Sequence, residues 1–275
     1  MADALTKTFI ATVAAVVPAS RLEETTAALV HLRKRAAVRT VLVSLGEQPQ
    51  PEVSTDGHAT TIFGLVPRYL NNAVASLRLS SLPTVAWWRG GDAKVLEQLA
   101  ALVDRVVLDS EDPTENWRLV GSLAQRAAVS DLRWTALTRW RNQMARFFDL
   151  GEVRTHAHAI SSLAISGADP HAARLFGGWI TSTLPQGKRI GVTLADAPGS
   201  PIESAILRGS GVELRLSLSS TRTCIESTVA MGTEASAARV VPLGDQRVEA
   251  LIGEELRLQS RDEAFERAVQ EIVGR

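Results

Sequence analysis

Leu82-Pro83-Thr84-Val85-Ala86-Trp87-Trp88-Arg89-Gly90 is the stretch that decides the fold. Pro83 can open a strand without removing a ladder hydrogen bond, and Gly90-Gly91 closes the strand with a turn. Val85 to Trp88 are all apolar, as in a strand buried on both faces of a parallel sheet. Neighbouring side chains on a strand point to opposite faces, so Trp87 and Trp88 cannot share one half of a core. In open α/β sheets, ligands and partners dock at the carboxyl ends of parallel strands. Two indole rings and a guanidinium placed there offer large apolar area and a forked donor, the chemistry of recognition. The alternative is that both rings are packed between the sheet and its helices.

Outward from this run, strands and helices alternate. Thr8 to Val17 reads as a strand, Ser20-Arg21-Leu22-Glu23 as a capping box, and the helix it opens runs to about Arg35. Val38 to Leu45 and Thr60 to Leu65 read as strands, and the Pro-broken segment Gln48 to Gly57 as a loop. Helices are expected from about Arg68 to Leu79 and from Asp92 to about Leu102, with a strand over Arg105 to Asp109. Asp112-Pro113 starts a helix expected to reach Val129, which restarts at Ser130-Asp131 and continues to Asp149. This pattern predicts an α/β unit over residues 1–150, a mostly parallel sheet with helices on both faces.

From Gly151 the texture changes. Val153 to Ile160 reads as a strand and Asp169-Pro170 caps a helix running through Trp179 to Leu184. Ile190 to Leu194, Ile202 to Leu207 and Val212 to Leu218 alternate with period two, and Gly209-Ser210-Gly211 suits a hairpin. Thr221 to Val229 and Ala237 to Val241 extend this sheet, and two helices follow, the last with a capping box at Ser260 and Glu263. Residues 151–275 are thus expected to form a smaller α+β unit with an antiparallel sheet and C-terminal helices.

Composition excludes several function classes. Thirty basic and thirty acidic residues cancel, and neither half departs much from neutrality, so no global field exists for nucleic acid or anionic lipid. No apolar run is long enough to span a bilayer, and Met1 to Lys7 lacks the signal-peptide pattern. Cys224 stands alone, so no internal disulfide can form, which suits the cytoplasm.

Catalytic motifs are mostly missing. The junction Val17-Pro18-Ala19-Ser20 holds none of the glycines that let backbone approach a pyrophosphate, and no phosphate loop or nucleophile elbow occurs. His156 and His158, two apart on an expected strand, with His171 as a third group, make a weak metal pattern that lacks supporting ligands. No catalytic residue, metal site or cofactor is therefore assigned. An enzyme or sensor for a phosphorylated sugar or nucleotide remains the alternative, with Arg89 on phosphate and Asp109 or Asp131 as base. In the segment Asp131 to Asp149, Leu137, Trp140, Met144 and Phe147 make an apolar stripe, widened by Trp134 and Phe148. Arg133, Arg139 and Arg146 fall largely away from it, and the four arginines, Arg141 included, can present a basic ridge.

Three segments resemble those of one family, the glucose-6-phosphate dehydrogenase assembly protein OpcA. They are Leu82 to Gly90 with Asp104-Arg105-Val106-Val107-Leu108-Asp109-Ser110; Asp131-Leu132-Arg133-Trp134 through Thr138-Arg139-Trp140-Arg141 to Phe147-Phe148-Asp149; and Ala173-Arg174-Leu175-Phe176-Gly177-Gly178-Trp179-Ile180. The resemblance is specific over about residues 70–185. It implies a non-catalytic bacterial protein that binds glucose-6-phosphate dehydrogenase and promotes its assembly or activity, as an allosteric activator in the oxidative pentose phosphate pathway. Photosynthetic members are associated with thiol-redox control, and a lone Cys224 leaves no internal disulfide switch for it. Trp87, Trp88, Arg89, Arg139 and Arg141 are the partner-contact candidates.

Overall fold

The structure, a computed structural model, describes residues 9–47, 50–78, 81–232, 234–235, 239–258 and 260–274. The expected element ends at Thr8, Gln48, Leu79 and Ala237 lie outside the described residues, as do Met1 to Lys7. The chain divides into two compact units, Met1–Leu132 with Arg247–Asp262, and Arg133–Gln246 with Glu263–Arg275. The division falls earlier than residue 150, and a C-terminal segment returns to the first unit. That return is fixed by side chains far apart in sequence: Arg105 binds Glu255 and the carbonyls of Leu258 and Ser260.

The first unit follows the order β1 (Ala11–Val17), α1 (Leu22–Arg35), β2 (Val38–Leu45), β3 (Glu52–Asp56), β4 (Ala59–Leu65), α2 (Leu70–Leu77), β5 (Thr84–Trp88), α3 (Ala93–Ala100), β6 (Arg105–Leu108), α4 (Thr114–Leu123) and β7 (Ala128–Asp131). The sheet order is β3-β4-β2-β1-β5-β6-β7, with only β3 antiparallel to its neighbour. Its six parallel strands have the order of a doubly wound dinucleotide-binding sheet, reversing between β1 and β5. All seven residues of β1 are buried, as a central strand covered on both faces requires. Helices α2, α3 and α4 pack side by side, while α1 packs against α9 (Val248–Glu255) of the returning segment.

The second unit opens with the helix α5 (Leu132–Ala136), whose first residue ends the first unit, then α6 (Thr138–Phe147), α7 (Gly151–His156), β8 (Ile160–Gly167), α8 (Pro170–Thr183) and β9 (Gly191–Asp196). After these come β10 (Ser204–Gly209), β11 (Val212–Leu218), β12 (Cys224–Met231), β13 (Glu234–Ala235) and β14 (Arg239–Pro242), and α10 (Glu263–Val273) ends the unit. The sheet order is β13-β12-β11-β10-β8-β9, with β14 also on β12 and all pairs antiparallel except β8 with β9. Asp169 caps α8 by accepting from the amides of His171 and Ala172. Helices α8 and α10 approach so closely that a Cβ at Gly178 would meet the Ala268 carbonyl oxygen at 2.6 Å and Ile272 at 2.8 Å. Gly178→Ala is expected to cost about 1–3 kcal/mol through overpacking, read as a lower thermal midpoint. An unchanged midpoint would show that the two helices part without strain.

The α/β fold class is as expected, and five local expectations need correction. Ser20 does not cap α1: the chain leaves Pro18 through a single tight turn at Ala19–Arg21, and Arg21 stands at the cap position with no side-chain bond to the helix's first amides. The expected loop holds β3, whose residues are all exposed and so carry no apolar signal. The α4 helix stops at Leu123, and β7, too short for a periodicity to show, takes both the end of the expected continuation to Val129 and the expected helix start at Ser130-Asp131. Val153 to His156 is helical, so His156 and His158 lie on α7 and the turn after it rather than on one strand face. Finally, α10 begins at Glu263, three residues past Ser260, so that serine cannot be its cap.

Candidate functional site

The reversal between β1 and β5 creates a crevice at the carboxyl ends of the strands, where doubly wound sheets receive ligands. Here side chains from the sheet and from α1 occupy it. Trp87 and Trp88 point to opposite faces and are both buried. Trp88 packs so close to the turn that a Cβ on Gly91, at φ 138°, would meet its ring at 2.7 Å. Trp87 donates its indole N–H to Asp109 Oδ2 at 3.1 Å.

Arg89 lies two residues on, on the same face as Trp87, and is only 2% exposed. Its Nε donates to Asp109 Oδ2 at 2.8 Å and its Nη2 to Glu24 Oε1 at 2.8 Å. Nη1 donates to Thr25 Oγ1, and the guanidinium carbon lies 4.7 Å from the Trp87 ring centre. Arg21 adds a bond from Nη1 to the Asp109 carbonyl at 2.6 Å. Glu24 and Thr25 belong to the first turn of α1, the helix start on which a dinucleotide's pyrophosphate rests in this fold. That helix start is engaged by Arg89, and Glu23 and Glu24 set negative charge where a phosphate would come. Asp131, the other suggested base, is fully buried at the end of β7 and accepts from Trp117 Nε1 at 3.0 Å.

The second group of candidates separates. Leu137, Trp140, Met144 and Phe147 are all buried, as the stripe predicts. Arg141 lies 3.4 Å from the Trp134 ring centre and its Nη2 reaches the Trp134 carbonyl and Thr138 Oγ1 at 3.3 Å. Trp134 in turn packs on Phe265. Arg133 donates to Asp169 Oδ2 at 2.9 Å, holding the residue that caps α8. Arg139 is exposed. The structure thus brings Trp87 and Arg89 together, sends Trp88 to the opposite face, and leaves Arg139 as the solvent-facing member of the set.

Sequence reading missed two concavities in the second unit. One, of about 290 Å³, is lined by Ala145, Phe148, Trp179, Ile180, Thr183 and Leu184. The other, of about 330 Å³, lies between Arg146, Phe147 and Leu150 on one side and Val229 and Arg239 on the other. Trp179 belongs to a quoted motif and Phe148 to the widened stripe, so both carried a signal; Arg239 carried none. On the second sheet, Glu213 is held below its usual carboxylate range, chiefly by a hydrogen bond from Arg208 and also by one from Arg215, against partial burial. Among the described residues, no helix is long and apolar enough to cross a membrane, and no group of three or more His, Cys, Asp and Glu side chains is placed to hold a metal ion.

The family model for the C-terminal domain of the glucose-6-phosphate dehydrogenase subunit matches residues 127–269, just over half of the chain. No curated protein matches. Among solved structures, the aldose-aldose oxidoreductase from Caulobacter crescentus, complexed with glycerol, is similar in fold, with a TM-score of 0.52 at 11% identity over 96% of each chain. The aspartate semialdehyde dehydrogenase II from Vibrio cholerae gives a TM-score of 0.39 at 10% identity, over 76% of this chain and 75% of that one. The first likeness shows an oxidoreductase-type fold and says nothing of activity.

Proposed function

The chain belongs to the glucose-6-phosphate dehydrogenase subunit family, and from that premise we propose that it is a non-catalytic, cytoplasmic partner that binds the dehydrogenase and promotes its assembly or activity. The family match over residues 127–269 carries this reading. The state of the first unit supports it: the crevice that an oxidoreductase of this fold gives to a dinucleotide is taken up by Trp87, Arg89, Asp109 and the first turn of α1. The groups that an enzymatic role would draw on are engaged by other side chains. Arg89 is bound by Asp109 and Glu24, and Asp131 is buried under Trp117.

An activator works only by binding one conformation or oligomer of the enzyme better than the others, and a few kcal/mol of difference suffices. A sugar-phosphate sensor is the second reading, favoured by a cavity of about 530 Å³ in the second unit that Lys188, Arg189 and Arg267 help to line. The test mixes the purified chain with the dehydrogenase of the same organism on a size-exclusion column. A co-eluting larger species supports the partner role. Turnover of glucose 6-phosphate by the chain alone would overturn it. Stabilisation of the chain by that sugar phosphate, without association, would favour the sensor.

A further inference from the structure

The two concavities of the second unit lie on either side of one helix end. Phe147 and Phe148 are consecutive at the close of α6, and Phe147 lines one cavity while Phe148 lines the other. The cavity beyond Phe148 exposes no polar surface, and Trp179 in its wall is half-buried. The cavity beyond Phe147 has apolar walls from Val229 and Leu150, and Leu150 is 50% exposed. Its rim is basic. Arg146 and Arg239 are both exposed, and neither has a carboxylate partner among the described residues. Arg139, seven positions before Arg146, lies on the same side of α6 and is also exposed. No carboxylate lines either cavity.

We propose that this surface is the docking site for the dehydrogenase, which would present a segment carrying an apolar anchor between carboxylates. The proposal rests on the partner reading above and locates it. The anchor fills the cavity beside Trp179 and Phe148, and the carboxylates meet Arg146 and Arg239. Two observations choose this occupant. The charge of the rim is uniformly positive, so an acidic segment complements it and a basic one is repelled. The whole surface, from Gln143 to Arg239, lies inside the residues that match the dehydrogenase-subunit family. A half-buried tryptophan in the wall of an apolar cavity, with arginines lining the neighbouring cavity across the end of α6, is also a composition that concentrates binding energy at interfaces.

The test measures association of the full chain with the purified dehydrogenase by calorimetric titration at two salt concentrations. Arg146→Glu with Arg239→Glu, both at exposed positions, is expected to weaken association at least tenfold and to flatten its salt dependence. Leu150→Asp, also exposed, is expected to weaken it at either salt. Arg118→Glu in the first unit, 59% exposed at its side chain, serves as the control and is expected to bind like the wild type. Wild-type association that all three surface changes leave intact would overturn this inference and spare the partner reading. Absence of wild-type association would overturn both. Loss of self-association instead, with dehydrogenase binding retained, would assign the surface to a second copy and overturn the proposal.

Discussion

Arg89→Ala is expected to lower the stability of the first unit by about 3–5 kcal/mol, the cost of breaking a buried ion pair from one side. The guanidinium is 2% exposed and bridges three elements: Asp109 after β6, Glu24 and Thr25 on α1, and the ring of Trp87 on β5. Its removal leaves Asp109 with the Trp87 indole and Arg21 but without its closest cation. Glu24 is mostly solvated, so Glu24→Ala is expected to cost under about 1 kcal/mol. Arg89→Lys keeps the charge but cannot reach three acceptors in one plane, so its loss falls between the two. Urea unfolding followed by tryptophan fluorescence checks this. A loss below about 1 kcal/mol for Arg89→Ala would show that the network only offsets its own desolvation.

Glu255→Ala carries a comparable expected loss, about 3–5 kcal/mol, for the same reason. Glu255 is 1% exposed, receives Arg105 Nη1 at 3.1 Å and accepts from Ser130 Oγ at 3.0 Å. Arg105, 3% exposed, also holds the carbonyls of Leu258 and Ser260. Without the carboxylate a buried guanidinium has only carbonyls to balance it, and the hold of the first sheet on the returning segment weakens. Amide hydrogen exchange in α9 should therefore rise with the drop in stability. Replacing both partners by apolar residues, Arg105→Met with Glu255→Leu, should recover much of the loss, because neither charge is then left buried alone. Faster exchange in the double variant than in Glu255→Ala would contradict this account.

Long or strongly patterned elements were legible in the sequence. The Val38–Leu45 strand appears at its expected ends, marked by the β-branched and apolar run Thr40-Val41-Leu42-Val43 and closed by Gly46. On β11, Val212, Leu214 and Leu216 are buried and Glu213, Arg215 and Ser217 only partly so, as alternation requires. Short elements were not legible. The four residues of β7 lie between two helices and run directly into α5, and β3 is mostly polar and exposed, so nothing in composition marked them as strands. At the crevice, the position of Trp87, Trp88 and Arg89 could be read, but not whether Arg89 faces solvent or core. That depends on Asp109 and Glu24, 20 and 65 residues away, and no local pattern encodes such a meeting. The cavities beside Phe147 and Phe148 have the same origin, since their far walls come from α8 and from the strands β12 and β14.

Trp87, Arg89 and Asp109 bond one another where the first sheet reverses between β1 and β5, and the proposed partner role asks for no ligand there. The most direct measurement follows NADPH production by the dehydrogenase across a glucose 6-phosphate titration, with and without a stoichiometric excess of the chain. The account predicts a changed substrate response that saturates as the chain is added and is absent with the chain alone. An identical response at every concentration, with both proteins folded, would contradict it.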